Sequence, residues 1–435
     1  MKLFSTNHIS PDVYLEEAVF RGLPQDNGLY MPYEIPKLPD SFFVKIGELS
    51  LTEIAFEVCK TLFEGELSDE DIKLVVNRAT SFDAPIIETE PNNYVLELFH
   101  GPSMAFKDFG ARFMASLMGF YLEKSQKKIK ILVATSGDTG GAVAQGFHNT
   151  PNIEVVILYP SGKVSGIQSQ QLTTLGGNVT ALEVDGTFDD CQALVKAAFL
   201  DQELTLKYNL ASANSINISR LIPQSFYYFH AYAQLQKLSN TLPLVFSVPS
   251  GNFGNLSAGL IAHKMGLPIY RFIVATNVND VVPRYLQSGT YKPIKSKETI
   301  SNAMDVGNPS NFIRMRLLAG DDLKNVSKIL SGFSFTDDQT REKVKEVYHK
   351  SQYIMCPHTA VAQLGADKFK KEIDDNVTTV VLSTAHYAKF LPVMEEILGF
   401  TPPIPKRLSD LLDKEKVATK MTADFKTFKR FLLDK

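Results

Sequence analysis

One lysine in this 435-residue chain stands among small and apolar neighbours: Lys107, in His100-Gly101-Pro102-Ser103-Met104-Ala105-Phe106-Lys107-Asp108-Phe109-Gly110. Such surroundings could depress an amine's pKa and make it a competent nucleophile for a Schiff base. A lysine beside an aspartate is ordinarily a solvated surface charge, so the residue by itself leaves both readings open. Two glycine-rich segments suggest anion binding. Ser250-Gly251-Asn252-Phe253-Gly254-Asn255 lies between a predicted strand and a predicted helix, where free backbone N–H groups and the helix dipole can hold a phosphate. It has neither the Gly-Lys-Ser/Thr ending of a P-loop nor the GxGxxG order of dinucleotide folds. Thr135-Ser136-Gly137-Asp138-Thr139-Gly140-Gly141 offers hydroxyls and backbone donors at another helix start, which suits a carboxylate. Taken singly, each is equally an ordinary turn, with Asp138 or Thr139 serving only as an N-cap.

The elements that must position these residues follow a repeating pattern. From Ile129 to about Leu267, short apolar runs alternate with Gly/Ser/Thr/Asn loops and segments of helical periodicity, the signature of βα units. Strands are predicted at Ile131 to Ala134, Ile153 to Leu158, Leu244 to Val248, Arg271 to Ala275 and Val377 to Leu382. Helices are predicted through Ala142, Val143 and Phe147, and through Leu256, Leu260 and Ile261. This alternation predicts parallel sheets covered on both faces, with ligands beyond the strand C-termini, where both glycine-rich loops fall. Residues 1–95, with Pro-rich turns around Pro32 to Pro39 and an amphipathic stretch from Leu51 to Phe63, form a separate N-terminal element. Residues 96–215 form a smaller α/β domain and residues 216–435 a larger one, closing in an amphipathic, Lys-rich packing helix.

Whole-chain properties exclude several classes. With 45 Lys+Arg against 48 Asp+Glu the net charge is −3, so no electrostatic footprint for nucleic acid or an anionic membrane is expected. Cys59, Cys191 and Cys356 are scattered without a CxxC pair, and the histidines lack HExxH spacing, so neither a disulfide framework nor a metal site is expected. The first residues lack the apolar core of a signal peptide, and no apolar run reaches the roughly 18 residues of a membrane span. A reduced, cytoplasmic setting is the expectation.

The segment from Glu97 to Pro102 and on through Phe106-Lys107-Asp108-Phe109 closely resembles the cofactor-lysine motif of threonine synthases. These are pyridoxal-phosphate enzymes of the tryptophan-synthase-like fold, with two open, twisted, mostly parallel sheets flanked by helices. Further similar blocks follow in the same order: Ala134 to Gly140, Asn214 to Arg220, Pro249 to Asn255, Met304 to Asn311, and Thr384-Ala385-His386. The resemblance implies pyridoxal 5'-phosphate held on Lys107. Ser250, Gly251, Asn252, Phe253, Gly254 and Asn255 would form its phosphate loop, Asp138 would face the 3′-oxygen and Thr384 the pyridine nitrogen. Ser136, Gly137 and Thr139 would receive a substrate carboxylate. Asn214, Ser215 and Arg220 would grip a substrate phosphate. The implied substrate is O-phospho-L-homoserine, converted with water to L-threonine and phosphate by a monomer or homodimer.

Two positions depart from the family pattern. Cys356 precedes Pro357 where an acidic residue is expected, and Tyr387 stands where proline is common. His358 and His386 are expected to be structural. A phospho-lyase acting on the same substrate, a dehydratase of the same fold and a non-catalytic binding protein are the alternatives. The phosphate-gripping motif argues against a dehydratase, a ketoacid rather than threonine as product would mark the phospho-lyase, and a colourless preparation would indicate the third.

Overall fold

A computed structural model describes residues 1–373 and 376–434. The N-terminal strands β1 (Leu3–Ser5) and β2 (Tyr30–Pro32) pair antiparallel. The helix Leu51–Leu62 turns its apolar face inward and starts with a reciprocal Ser50/Glu53 capping box, matching the amphipathic stretch in the sequence. Then come β3 (Ile86–Glu90), β4 (Asn93–Glu97), β5 (Ile129–Ala134), β6 (Ile153–Pro160), β7 (Val179–Asp185) and β8 (Asn209–Ser212). They are followed by β9 (Leu244–Pro249), β10 (Arg271–Thr276), β11 (Leu330–Ser334), β12 (Thr378–Ser383) and β13 (Thr419–Thr422).

Two sheets result. The larger has the order β11-β10-β9-β12-β4-β3, parallel except for the edge pair β3–β4. The smaller, β13-β7-β6-β5-β8, is parallel throughout. In β5, β9 and β12 every residue is buried, the pattern of strands with helices over both faces. The expected fold class is the one found, and each of the five predicted strands is present to within two residues.

Two segments depart from the expected division into residues 1–95, 96–215 and 216–435. β4, which leads to Lys107, belongs to the larger sheet because its apolar residues pair with β12, placing Leu96 opposite Leu382. At the other end, β13 pairs with β7 in the smaller sheet, and the amphipathic helix Phe425–Asp434 packs there too. Phe428 and Leu432 are fully buried against Leu132, Val156, Leu158 and Leu194, while Tyr208 Oη donates to the Leu432 carbonyl at 2.8 Å. Among the described residues, no helix is long and apolar enough to cross a membrane.

The C-terminal helix is therefore part of the smaller domain's core. Phe428→Ala should lower the unfolding free energy by about 3–5 kcal/mol, the usual range for deleting a buried phenyl ring, measured as an earlier midpoint in urea.

Candidate active site

Parallel strands place the start of every following loop on one edge of each sheet. The loops after β4, β5, β8, β9 and β12 carry Lys107, Ser136 to Thr139, Asn214 to Arg220, Ser250 to Asn255, and Thr384 respectively. Short contacts then fix their relations. Phe106 N donates to the Thr384 carbonyl at 2.8 Å and His386 N to the Met104 carbonyl at 3.1 Å, an antiparallel bridge that sets Lys107 beside Thr384. Lys107 opens the helix Lys107–Ser125, whose Gly110 lies so close to the backbone of Arg220 that an added Cβ would be 2.8 Å from the Arg220 oxygen. Asn252 Nδ2 donates to Ser215 Oγ at 2.7 Å, joining the loop after β9 to the loop after β8. The structure thus brings the sequence-predicted residues together from both sheets.

The Lys107 side chain is half-buried. Burial lowers its amine to about 8; Asp138 works against that shift, while Arg220 and Lys389 reinforce it. Among the described residues the amine makes neither a hydrogen bond nor an ion pair, and its lowered pKa brings the neutral, nucleophilic form within reach near neutral pH. Although burial pushes it upward, the Asp138 carboxyl is held well below the usual range by Lys389 and Lys107. Asp138 Oδ1 accepts from Gln168 Nε2 at 2.8 Å and pairs with Lys389 Nζ at 2.9 Å. Asp108, next to Lys107, is raised to about 6 by burial, with Oδ2 accepting from Ser103 N at 2.8 Å.

The loop after β9 has the form of an anion cradle. The N–H groups of Gly251, Asn252, Phe253, Gly254 and Asn255 have no acceptor among the described residues, at the start of the helix Gly254–Lys264. Phe253 adopts a left-handed φ of 62° to make that turn. The side chains of Asn252 and Asn255 are otherwise engaged. Asn252 Oδ1 accepts from Ser310 N at 2.6 Å, and Asn255 bonds to the Pro249 carbonyl and to Leu256 N, both at 2.9 Å. Those amides shape the loop, and its backbone is left to meet a ligand. Ser250 is buried and bonds to the Val248 carbonyl at 3.2 Å.

A second cradle follows β5. Thr135 Oγ1 accepts from both Gly137 N, at 3.0 Å, and Gly140 N, at 2.8 Å, which folds the loop. Gly137 takes φ 144°, a conformation open to glycine. Ser136 is exposed and Thr139 half-buried, and neither hydroxyl has a partner among the described residues. Across the cleft, Arg220 is 2% exposed and donates from Nη1 to the Ala213 carbonyl at 2.5 Å. Its Nε is buried without an acceptor and it makes no ion pair among the described residues. Burial lowers this guanidinium to about 10, still charged at neutral pH.

Three family models match in succession: Threonine synthase N terminus over residues 2–80, Pyridoxal-phosphate dependent enzyme over 83–385, and Threonine synthase, C-terminal, over 359–432. The threonine synthase of Haemophilus influenzae is 44% identical over 433 residues, covering 100% of both chains. The chain belongs to the threonine synthase family. Its structure superposes on the crystal structure of the Escherichia coli threonine synthase with a TM-score of 0.90 and 40% identity, covering 100% of both chains. A PLP-bound threonine synthase from Brucella melitensis gives a TM-score of 0.93 at 35% identity, covering 99% of this chain and 98% of that one.

The residues present fit the family's cofactor. There is an unpaired amine on Lys107, a row of unengaged amides for a phosphate, and on Thr384 a hydroxyl with no partner among the described residues. Asp138 Oδ2 is likewise unengaged. Cys356, the departure from the family pattern, caps the helix Pro357–Glu372, and burial pushes its thiol up. Its sulfur lies 3.2 Å from Thr359 Oγ1, which in turn lies 2.8 Å from Ser383 Oγ, so an uncharged chain of side chains runs beneath Thr384. Burial lowers His358 and His386 to about 4, and each accepts a backbone N–H at 3.1 Å, from Ala303 and Ala388 respectively. Both are neutral scaffolding at pH 7. Sequence reasoning missed Lys389, Gln168 and Gln171. Nothing in periodicity marks a buried lysine, and the two glutamines, three apart on one helical face, look solvent-facing until that face is known to be buried.

The two loop glycines have different reasons for being glycine. A Cβ on Gly251 would lie 2.7 Å from Met304 Cα, whereas one on Gly254 would meet nothing closer than 3.6 Å. In the cofactor-free protein, Gly251→Ala should destabilise by about 1–3 kcal/mol through overpacking. Gly254→Ala should stay within about 0.5 kcal/mol. Thermal unfolding of the two variants checks the contrast.

Proposed function

We propose that this chain carries pyridoxal 5'-phosphate on Lys107 and converts O-phospho-L-homoserine and water to L-threonine and phosphate. The observation that carries the substrate assignment is Arg220, a buried cation that makes no ion pair among the described residues, has a buried Nε without an acceptor and lies near enough to Lys107 to shift its amine. An anion would complete such a site, and a substrate phosphate has the right chemistry.

The cofactor, when bound, supplies the electron sink that makes protons next to the amino-acid nitrogen removable. The remaining work falls to the chain. The amides of Gly251 to Asn255, with Ser250, hold the cofactor phosphate, and Thr384 meets the ring nitrogen with a hydroxyl that cannot protonate it strongly. Ser136, Gly137 and Thr139 receive the substrate carboxylate. Asn214, Ser215 and Arg220 hold the phosphate that departs from the substrate Cγ. Lys107, its amine lowered to about 8, accepts the proton from Cα and shuttles protons for the later steps at Cβ and Cγ. Loss of a Cβ proton lets phosphate leave Cγ, Cγ is protonated, water adds at Cβ and a proton returns to Cα, so the atoms of substrate and water are all found in threonine and phosphate.

Lys107→Ala should lose the visible absorbance of lysine-bound cofactor and nearly all turnover; a coloured, active variant would overturn the assignment. Arg220→Ala should lose about ten- to hundred-fold more activity with O-phospho-L-homoserine than with serine or vinylglycine, the range expected for one charged hydrogen bond. Its lysine-bound cofactor absorbance should be retained. An equal loss on all substrates would place Arg220 in the scaffold instead. Product analysis decides between threonine and the ketoacid that a phospho-lyase would release.

A further inference from the structure

The most heavily committed side chain near Lys107 is one to which the reaction above gives no part. Lys389 is 1% exposed, in the turn Tyr387–Phe390 that follows Thr384. Its ammonium donates to the Ser103 carbonyl at 2.7 Å and to Gln171 Oε1 at 2.8 Å, and pairs with Asp138 Oδ1 at 2.9 Å. All three of its donors are therefore used. Gln171 Nε2 also donates to the Ser103 carbonyl at 2.9 Å, closing a ring of contacts. Ser103 belongs to the Lys107 loop of the larger sheet, whereas Asp138 and Gln171 belong to helices of the smaller one. With Gln168 and Lys389 both on Oδ1, Asp138 has one oxygen doubly engaged. Oδ2 has no partner among the described residues.

We propose that Lys389 is a positioning residue: its buried ammonium locks Asp138 as a carboxylate with Oδ2 free toward the cleft, where it accepts a hydrogen bond from the cofactor's ring hydroxyl. This rests on the assignment of pyridoxal phosphate to Lys107. A carboxyl in this environment without the ammonium would be driven by burial towards its protonated form, and would then compete as a donor. The charges that reach the pair are those of Lys107, on Asp138, and Asp108, on Lys389; the neighbouring His358, His386 and Cys356 are neutral at pH 7. Lys389 and Asp138 act on the Lys107 nitrogen in opposite directions, Asp138 the more strongly, so each partly offsets the other.

The test uses holoenzymes of the wild type, Asp138→Asn, Lys389→Met and the double variant, followed by pH titration of the visible absorbance of lysine-bound cofactor. In Asp138→Asn the ammonium loses its counter-charge, and the titration midpoint should fall by roughly one unit or more. Adding Lys389→Met should bring it back toward the wild-type value. Equal midpoints in Asp138→Asn and the double variant would overturn the proposal, because the charge of Lys389 would then not reach the site. Lys389→Met alone should bind cofactor less tightly as the pH falls through the raised pKa of Asp138, a dependence that Asp138→Asn abolishes. A uniform weakening at every pH would mark Lys389 as scaffolding only. Should Lys389→Met fail to fold, the comparison of Asp138→Asn with the double variant stands without it. Loss of the parent assignment is distinguishable, since a Lys107→Ala protein that kept its colour would refute that assignment whatever the other variants did.

Discussion

A lysine ammonium removed from water must find acceptors for all its protons, and Lys389 finds them on three separate segments. Ser103 comes from the loop that carries Lys107, Gln171 from the helix after β6, and Asp138 from the helix after β5. Meeting that requirement draws the two sheets' C-terminal edges against one another at one point. Around it, the bridge between 104–106 and 384–386 sets Lys107 beside Thr384, and the Gly110 contact sets Arg220 beside Lys107. The cleft is thus defined by polar requirements that apolar packing alone would not impose.

Three buried or half-buried cations lack an ion-pair partner among the described residues. Lys107 and Arg220 have no carboxylate partner among the described residues. Arg314, fully buried and lowered to about 9 by that burial, bonds only to Asn311 Oδ1 at 3.0 Å and the Tyr30 carbonyl at 2.8 Å. Asn311 in turn donates to the Asn252 carbonyl at 3.0 Å. A protein that keeps guanidinium groups dry without counter-ions has a less favourable free state than it needs to have, and binding dianionic ligands relieves that condition. Affinity for phosphate-bearing molecules is in this sense written into the empty scaffold.

Much of this was legible in the sequence because it is local. A strand such as Leu244-Val245-Phe246-Ser247-Val248 running into Pro249-Ser250-Gly251-Asn252 announces both its own burial and the turn beyond it. The ordered blocks then supplied the family, and with it the roles proposed for Lys107, Asp138 and Thr384. Other features depend on distant partners. β11 contains Gly332, which reads as a break, but a Cβ there would lie 3.0 Å from Pro283 Cα, so the glycine allows a neighbouring helix to approach. Lys389 looks like any surface lysine until its three acceptors are in place. Gln168 and Gln171 look like an exposed helical face until the opposite sheet covers them. Gly251 reads as a phosphate glycine and is, in addition, a spacer against Met304.

The return of β13 to the smaller sheet has a consequence for how the chain is made. Thr419 is in register with Leu182, so the free side of β7 has no partner until more than 230 further residues have been made. From the completion of β7 until residue 419 is made, the nascent domain therefore presents an open, parallel-pairing strand edge beside an apolar floor that awaits Phe428 and Leu432. Translation that stalls between β12 and β13 would release a molecule that holds its site-bearing loops and is unfinished at this seam, where the matching segment of another copy could take the vacant place.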